Sequence, residues 1–356
     1  ELVLNIDMDE IHDCGLVKFD FLVLRNVAIL NDTCKLAGIP YPKAHEVDWN
    51  DPAVWADMMR SPVGIFQFEG EYAFRSLKQF GAKSIFDMSL VTAAIRPSGA
   101  SYRNDLMAHK IHKNPSPIID DLLRDNLCYL VYQEDVLKFL QTICGFTGSE
   151  ADTVRRGIAR KKAEVLDEAM PKILDGYCAN SDRPREMAEA EAREFVQIIE
   201  DASSYMFGYN HSIAYCLIGY LCAYLRYYHP LEFVTALLNN AANEDDISGG
   251  TNLARLYGFQ ILPPRWGMAR AHYVPDKEDG AIIKGISSIK TLNDTVPDEL
   301  YNLSRTQEFH HFSDVLLACR AQTSLRADQR DALIDVDFFD RFGSVLKLRR
   351  VAEAVE

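Results

Sequence analysis

Gly15-Leu16-Val17-Lys18-Phe19-Asp20-Phe21-Leu22-Val23-Leu24-Arg25 places one acid inside an apolar, β-favouring run. Read as a strand, Val17, Phe19, Phe21 and Val23 point one way and Lys18, Asp20, Leu22 and Leu24 the other, because side chains alternate across a strand. The Phe/Val face is wholly apolar and is expected to pack on a core. Asp20 lies on the opposite face, two residues after Lys18. A buried carboxylate without a partner is costly, so Asp20 calls for a cation, a metal or water. A carboxylate on a rigid strand is one way to hold a divalent cation. An edge-strand acid paired with Lys18 or Arg25 is the alternative.

At 356 residues the chain has room for roughly two to three domains. Hydrophobic residues make up 48% and charged residues 25%, as in ordinary globular proteins. No apolar run approaches a membrane span, and the first residues carry no basic-then-apolar leader. The eight cysteines form no Cys-x-x-Cys pair and no Cys/His cluster at zinc spacing. Cys144, Cys216 and Cys222 sit in apolar segments, where Cys acts as a small buried hydrophobe. Reduced thiols in a cytoplasmic protein, with no membrane partner, are the expectation. Net charge is −14, which by itself argues against an obligate nucleic-acid binder, but its distribution is uneven. Residues 1–60 hold 5 Lys/Arg against 11 Asp/Glu, whereas residues 96–162 hold 11 against 8. A basic island in an acidic chain suits a local phosphate site, or simply a solvated basic helix face.

Along the chain, helical patterning dominates. Asp7 and Asp9 read as surface acids ahead of the opening stretch. Helices are expected over Arg25 to Gly38, from Asp51, over Glu71 to Phe80, over Phe86 to Ile95, from Ser149, over Glu164 to Gly176 and from Arg185 to Tyr205. Gly64 to Glu69 reads as a strand, and Tyr129 to Val136 as a strand running into a helix. Arg96 ends its helix, either as a cap or as a phosphate contact. Gln133-Glu134 reads as a pair that orders a loop. From 155 to 162 five of eight residues are basic. On one continuous helix Arg156 and Arg160 are neighbours, and Arg155 and Lys162 share a face. A planar guanidinium binds two oxygens at once, so such a cluster can grip a triphosphate. Next, Phe207 to Tyr215 delivers Asn210, His211 and Ser212 to the start of a long apolar helix, Ser212 to Tyr228, with Asn210 or Ser212 as its cap. Asn243 to Gly250 reads as an acidic loop. Arg270 to Val274 and Ala281 to Lys284 read as a hairpin around Asp279-Gly280. Asp335, Asp337 and Asp340 read as helix-end caps and exposed acids.

Lys18-Phe19-Asp20-Phe21-Leu22-x-Leu24-Arg25 resembles a signature of the bacterial family C replicative polymerases, the alpha subunits of DNA polymerase III. Gly64-Ile65-Phe66-Gln67-Phe68-Glu69, Tyr132-Gln133-Glu134, Arg155-Arg156 with Lys161-Lys162, Phe207 to Tyr215, Tyr227 to Phe233, Tyr257 to Pro264 and Asp335 to Gly343 follow in the family's order. The chain departs from the pattern at Val23, Ser98 and Arg160, where the family usually has Gly. It also carries Gly208-Tyr209-Asn210 where the family has Asn-Lys-Ser.

The resemblance implies a mainly α fold with small β elements: the C-terminal part of a palm with a linker over residues 1–60, an α-rich fingers domain over 61–265, a small hairpin plus helix-hairpin-helix-like unit over 266–343, and the start of a further segment over 344–356. It implies template-directed transfer of dNTP to a primer 3′ end, with two Mg²⁺ and Asp20 as one metal ligand. Arg155, Arg156, Arg160, Lys161 and Lys162 would hold triphosphate. Asn210, His211, Ser212 and Tyr215 would shape the pocket. Arg96, Lys284 and Lys290 would meet DNA, although the hairpin Thr291-Leu292-Asn293-Asp294-Thr295 lacks the family's glycines. The implied partners are primer-template DNA, dNTP, an upstream palm and thumb, and a sliding clamp bound through a further C-terminal segment. With one of three palm carboxylates, the chain alone is not expected to polymerise. The alternative is a non-catalytic DNA- or partner-binding protein on the same scaffold.

Overall fold

The computed structural model describes residues 7–17, 19, 23–96, 99–203, 206–289, 292 and 295–355. Helices dominate it, and one small three-stranded sheet joins two of its three apolar cores.

The first core gathers α2 (Arg25–Ala37), α3 (Pro52–Met58), α4 (Glu71–Phe80), α5 (Ile85–Ala94) and α6 (Arg103–Met107) with α12 (Tyr209–Tyr228), α13 (Pro230–Asn239) and α14 (Glu244–Leu256). The starts and stops have local causes. Gly38 ends α2 in the left-handed conformation at φ 72°, which costs glycine least. The Asp51 carboxylate accepts from the Ala53 N–H at 2.8 Å and Pro52 opens α3. Ser84 accepts from the Asp87 N–H at 3.1 Å to start α5.

α12 runs through this core and packs on α2, α3, α5 and α13. A side chain at Gly219 would lie 2.8 Å from the Phe66 carbonyl, so a bare backbone is needed there. Residues 64–69 accordingly differ from the expected strand. Gly64 and Gln67 have φ of 76° and 71°, Ile65 N–H bonds Pro62 O, and Phe68 N–H bonds Ile65 O. Successive turns replace extended backbone because the segment folds beneath α12.

Near the end of α12, Arg226 is fully buried. Its Nε donates to Asp57 Oδ2 at 3.2 Å and its Nη2 to the Asp57 carbonyl at 2.8 Å. Its Nη1 donates to Ser61 O and Val63 O at 2.8 and 3.0 Å. Asp57 also accepts from Tyr257 Oη at 2.6 Å and Arg60 Nη1 at 3.1 Å. Every charge in the cluster is met, as buried charges require.

The second core is built by α7 (Pro117–Leu122), α8 (Gln133–Lys138), which continues into a π-turn over Phe139–Ile143, α9 (Gly148–Ala159), α10 (Ala163–Asn180) and α11 (Arg185–Ala202). The third comprises α15 (Thr295–Thr306), α16 (Phe312–Gln322), α17 (Ala327–Asp335) and α18 (Val345–Val355) around Trp266, Phe312, Phe338 and Phe339. In the sheet, β3 (Ala281–Ile283) lies between β1 (Gln260–Leu262), parallel to it, and β2 (Val274–Asp276), antiparallel. Ile282 enters the first core and Ile283 the third, so the sheet welds two bodies. A hairpin turns ahead of β3 as expected, but its first strand is Val274–Asp276 rather than Arg270 to Val274, because the Arg270 and Ala271 carbonyls accept from the Ile286 and Ser287 N–H groups instead.

Three further readings change. Met8–Asp13 forms α1, and Gly15 ends it with φ 69°. Beyond it Val17, Phe19 and Val23 are 66%, 74% and 90% exposed. These three residues of the face expected to pack on a core therefore face solvent, because no described element covers them. Lys18, Asp20, Phe21 and Leu22 lie outside the described residues, as do Lys290 and most of the 291–295 hairpin. Tyr129 to Val131 is irregular, with only an isolated bridge from Tyr132 to Phe207. Asn243 to Gly250 is the start of a helix: Asn243 accepts from the Asp246 N–H at 2.9 Å, and Glu244, Asp245 and Asp246 stand where the helix dipole favours anions. A side chain at Gly250 would come within 2.7 Å of Leu238, so the glycine is a packing contact. Asp335, Asp337 and Asp340 are exposed acids, as expected, and Asp335 and Asp340 pair with Arg349 and Arg265.

Replacing Arg226 by Met keeps the volume but leaves the Asp57 carboxylate with Arg60 and Tyr257 alone and takes the guanidinium donor from the Asp57, Ser61 and Val63 carbonyls. Stability is expected to fall by about 3–5 kcal/mol, read as a lower urea midpoint.

Candidate functional site

The Thr147 and Glu150 side chains start α9 reciprocally. Glu150 Oε2 accepts from the Thr147 N–H at 2.8 Å, and Thr147 Oγ1 accepts from the Glu150 N–H at 3.4 Å. Asp152, one turn in, holds both arginines of the following pair. Arg155 reaches its Oδ1 from Nε and Nη2, at 3.2 and 2.8 Å, and Arg156 pairs with Oδ2. These hydrogen bonds hold the Asp152 carboxyl below the usual carboxylate range.

The helix stops at Ala159, so the expected continuous basic face does not form. Lys161 takes the left-handed conformation at φ 54°, and the Lys162 N–H closes back on Gly157 O at 3.0 Å. Arg160 becomes the cap and Lys162 the residue before α10. Arg160, Lys161 and Lys162 are gathered by this turn rather than by i, i+4 spacing. All three are solvent-facing. Together with Arg156 they crowd a helix C-terminus, whose partial negative charge takes up part of their field.

α12 starts at Tyr209, three residues earlier than expected, and neither Asn210 nor Ser212 caps it. Its first turn is held from 75 residues away: Glu134 Oε2 accepts from the Tyr209 N–H at 2.7 Å. Next to it, the Gln133 N–H donates to Phe207 O at 3.0 Å and its Nε2 to Met206 O at 3.1 Å. Gln133-Glu134 therefore orders the 206–209 loop. On the other side, Arg155 Nη1 donates to Gln133 Oε1 at 3.0 Å. One glutamine thus bridges the basic helix to the start of α12.

From that start a ladder of rings runs along the outer face. Arg96 lies over the Phe207 ring at 4.4 Å. Phe207 meets His211 edge-on at 5.4 Å, His211 meets Tyr215 at 4.0 Å, and Tyr215 meets Phe66 edge-on at 5.2 Å. Asn210 and His211 are exposed. Ser212 is not part of this face. It is fully buried, accepts from Ser89 Oγ at 2.8 Å, and Ser89 in turn meets Tyr132 Oη at 2.7 Å. It locks α12 to α5, and a helix phase set by burial overrides the expected pocket role.

Arg96 does not cap its helix. The last carbonyls of α5 and its cap segment go to Arg103, whose Nε donates to Ala94 O and Nη2 to Arg96 O, both at 2.7 Å. Lys284 stands exposed after β3, with no contact to this group. Arg103, Ser89 and the roles of Gln133 and Glu134 toward α12 have no local sequence signal, since each partner is distant in the chain.

Beneath the bridge, Asp135 Oδ2 accepts from the Tyr132 and Val131 N–H groups, at 2.7 and 3.1 Å, and from Asn126 Nδ2 at 2.9 Å. Burial outweighs these bonds and raises its carboxyl to about 6. Among the described residues no group of three or more His, Cys, Asp or Glu could hold a metal ion, and Asp20 lies outside them.

The family described as the bacterial DNA polymerase III alpha subunit finger domain matches residues 26–181. Proteins called DNA polymerase III subunit alpha match most of the chain. The one from Aquifex aeolicus is 32% identical across 74% of this chain and 23% of its own length. Those from Campylobacter jejuni and Bacillus subtilis are 28% and 27% identical across 97% and 94% of this chain. The chain belongs to the DNA polymerase III alpha subunit family. It spans 23% to 30% of the length of these three relatives. The α-rich body with its small sheet is the finger-domain fold of that family together with the segments around it. The match to residues 26–181 takes in α9 and its basic turn but stops short of α12.

Two outcomes follow. Asp135 prefers to be protonated when folded, so its contribution to stability is full below about pH 4 and is lost as pH rises through about 6. Asp135→Asn keeps one oxygen for the three donors. Between pH 5 and 7 its unfolding midpoint is expected to fall less than that of wild type. At Lys161 the left-handed backbone costs about 1 kcal/mol against glycine. Lys161→Gly is expected to raise stability by up to that amount, and Lys161→Ala is not, in urea titrations of the two variants.

Proposed function

We propose that this chain is the fingers portion of a replicative DNA polymerase and holds the triphosphate of an incoming dNTP. The single observation that carries this reading is the Gln133 bridge, which brings the basic end of α9 and the ring ladder of α12 onto one assembly. A triphosphate carries several negative charges, and charge builds on the leaving pyrophosphate as phosphoryl transfer proceeds. Exposed Arg156, Arg160, Lys161 and Lys162 offer it cations. His211, Tyr215 and Phe207, with Arg96 above, offer rings on which a base or sugar can rest.

The role of each group follows from its exposure. The exposed cations bind and orient phosphate, the rings position the nucleoside, and the buried Ser89–Ser212 pair keeps α12 in place. The substituted Gly208-Tyr209-Asn210 segment supplies no cation, so phosphate binding falls to the α9 turn alone. Primer-template DNA is the co-substrate on this reading, with Arg96, Lys284 and Lys290 as candidate backbone contacts. A palm and thumb complete the site, and a sliding clamp is the expected accessory partner in the cytoplasm. Among the described residues no helix is long and apolar enough to cross a membrane.

Magnesium belongs to the proposed reaction through Asp20. The described residues do not fit a two-metal site. The chain on its own is expected to bind nucleotide without extending a primer.

The test is a calorimetric titration of dATP into wild type and into Arg156→Ala/Arg160→Ala. Both side chains are solvent-facing, so the fold should be retained. Binding is expected to weaken by at least about tenfold, equivalent to about 1.4 kcal/mol. Equal binding by both proteins moves the site elsewhere. No binding by wild type at millimolar dATP removes the triphosphate role from this chain.

A further inference from the structure

Arg155 and Arg156 are adjacent in sequence and look interchangeable, yet their surroundings differ. The Arg155 side chain is 19% exposed and that of Arg156 64%. Three nitrogens of Arg155 are already bonded inside the protein, two to Asp152 and one to Gln133. Arg156 has Asp152 as its ion-pair partner and otherwise faces solvent.

The Gln133 side chain is fully committed in one orientation. Because its Oε1 accepts from Arg155, its amide nitrogen must be the atom that donates, and Nε2 donates to Met206 O. The backbone on both sides is tied as well, by Gln133 N–H to Phe207 O and by Phe207 N–H to Val131 O at 3.4 Å. Glu134 then supplies the cap that α12 lacks, since Gly208 at its N-cap has no side chain to offer. An arginine, a glutamine and a glutamate thus form one continuous bracket from α9 to the first turn of α12. That turn carries His211 and leads to Tyr215.

We propose that Arg155 and Gln133 are positioning residues of the nucleotide site. Arg155 acts through Gln133 to hold residues 206–211, and Arg156, Arg160, Lys161 and Lys162 are the groups that touch the triphosphate. The proposal rests on the nucleotide-binding reading for its ligand, but the bracket itself does not depend on it. Two groups that act through one bond share one effect, so their removal is non-additive, whereas independent contacts multiply in affinity.

The experiment uses the whole chain with dATP as the probe. Gln133→Ala, Arg155→Ala, their double variant and Arg156→Ala are compared by titration and by amide hydrogen exchange over residues 206–212. Circular dichroism and the urea midpoint confirm that each variant folds. Gln133→Glu is a second probe, because it keeps an acceptor for Arg155 and loses the donor to Met206. Exchange at 206–212 is expected to quicken in Gln133→Ala and Arg155→Ala. It should quicken at 206–208 in Gln133→Glu, with a smaller loss of affinity than in Gln133→Ala. The dATP affinity should fall by the same factor, about tenfold, in Gln133→Ala, Arg155→Ala and the double variant, while adding Arg156→Ala multiplies the loss. Multiplicative losses for Gln133→Ala and Arg155→Ala would show that Arg155 meets the ligand itself and overturn the proposal. Unchanged exchange in Gln133→Ala would overturn it too. If wild type fails to bind dATP, the triphosphate reading falls, and the exchange comparison still decides the bracket.

Discussion

A single buried guanidinium sets the geometry on which the rest is hung. Arg226, with no solvent contact, takes its bonds from Asp57 and from two carbonyls of the 61–63 turn. Moving such a charge out of water is tolerable only when each donor finds an acceptor. The requirement fastens α12 to the end of α3 and to the 61–63 turn, and Gly219 lets the backbone that follows, at Phe66, pass against the helix. Tyr220 and Tyr228 add bonds to Asp48 O and the Asp51 carboxylate on the same side. With its C-terminal half clamped and Ser212 locked to Ser89, α12 presents its outer rings in one direction.

The other end of that helix is organised by a different principle. A helix N-terminus leaves free N–H groups, and here the acceptor comes from α8. The same short element also reaches α9 through Gln133. The second core, which carries the basic turn, and the first, which carries the rings, therefore meet through directional polar bonds rather than through apolar contact alone. Hydrogen bonds of this kind depend on both distance and angle. They fix relative position more sharply than packing of equivalent area would.

The differences between α9 as expected and as found follow from backbone conformation. Periodicity alone extends the basic helix through Lys162, where Arg155 and Lys162 would share a face. The chain instead turns at Lys161, in a region of φ that non-glycine residues seldom enter, and packs α10 back on α9. Gly157 makes room for Val165 in that return, where a side chain would come within 2.5 Å. The cations still end up near one another, but by turn geometry.

Most helices were legible because their signals are local. Gly38 and Gly81 close helices by conformation, Asp51 and Ser84 open them by capping, and Glu71 to Phe80 shows its apolar stripe within three turns. The family was legible from the order of Tyr132-Gln133-Glu134, Arg155-Arg156 and Phe207 to Tyr215. What the chain alone could not show were contacts between residues far apart in it: Glu134 capping Tyr209, Arg103 taking the end of α5, Ser212 facing inward to Ser89 rather than outward to a ligand. The turns over 64–69 belong with these, because Gly219 answers to a neighbour across the core. The helix at 243–250 does have a local signal in the Asn243 cap and the three acids after it, which its glycines obscure, and Gly250 is there for its close approach to Leu238. Sequence by itself thus determined which segments are helical and which family they compose, since propensity, capping and motif order act over a few residues. Only the tertiary structure decided which polar side chains hold the site together and which remain free for a ligand, since that depends on partners brought together by burial.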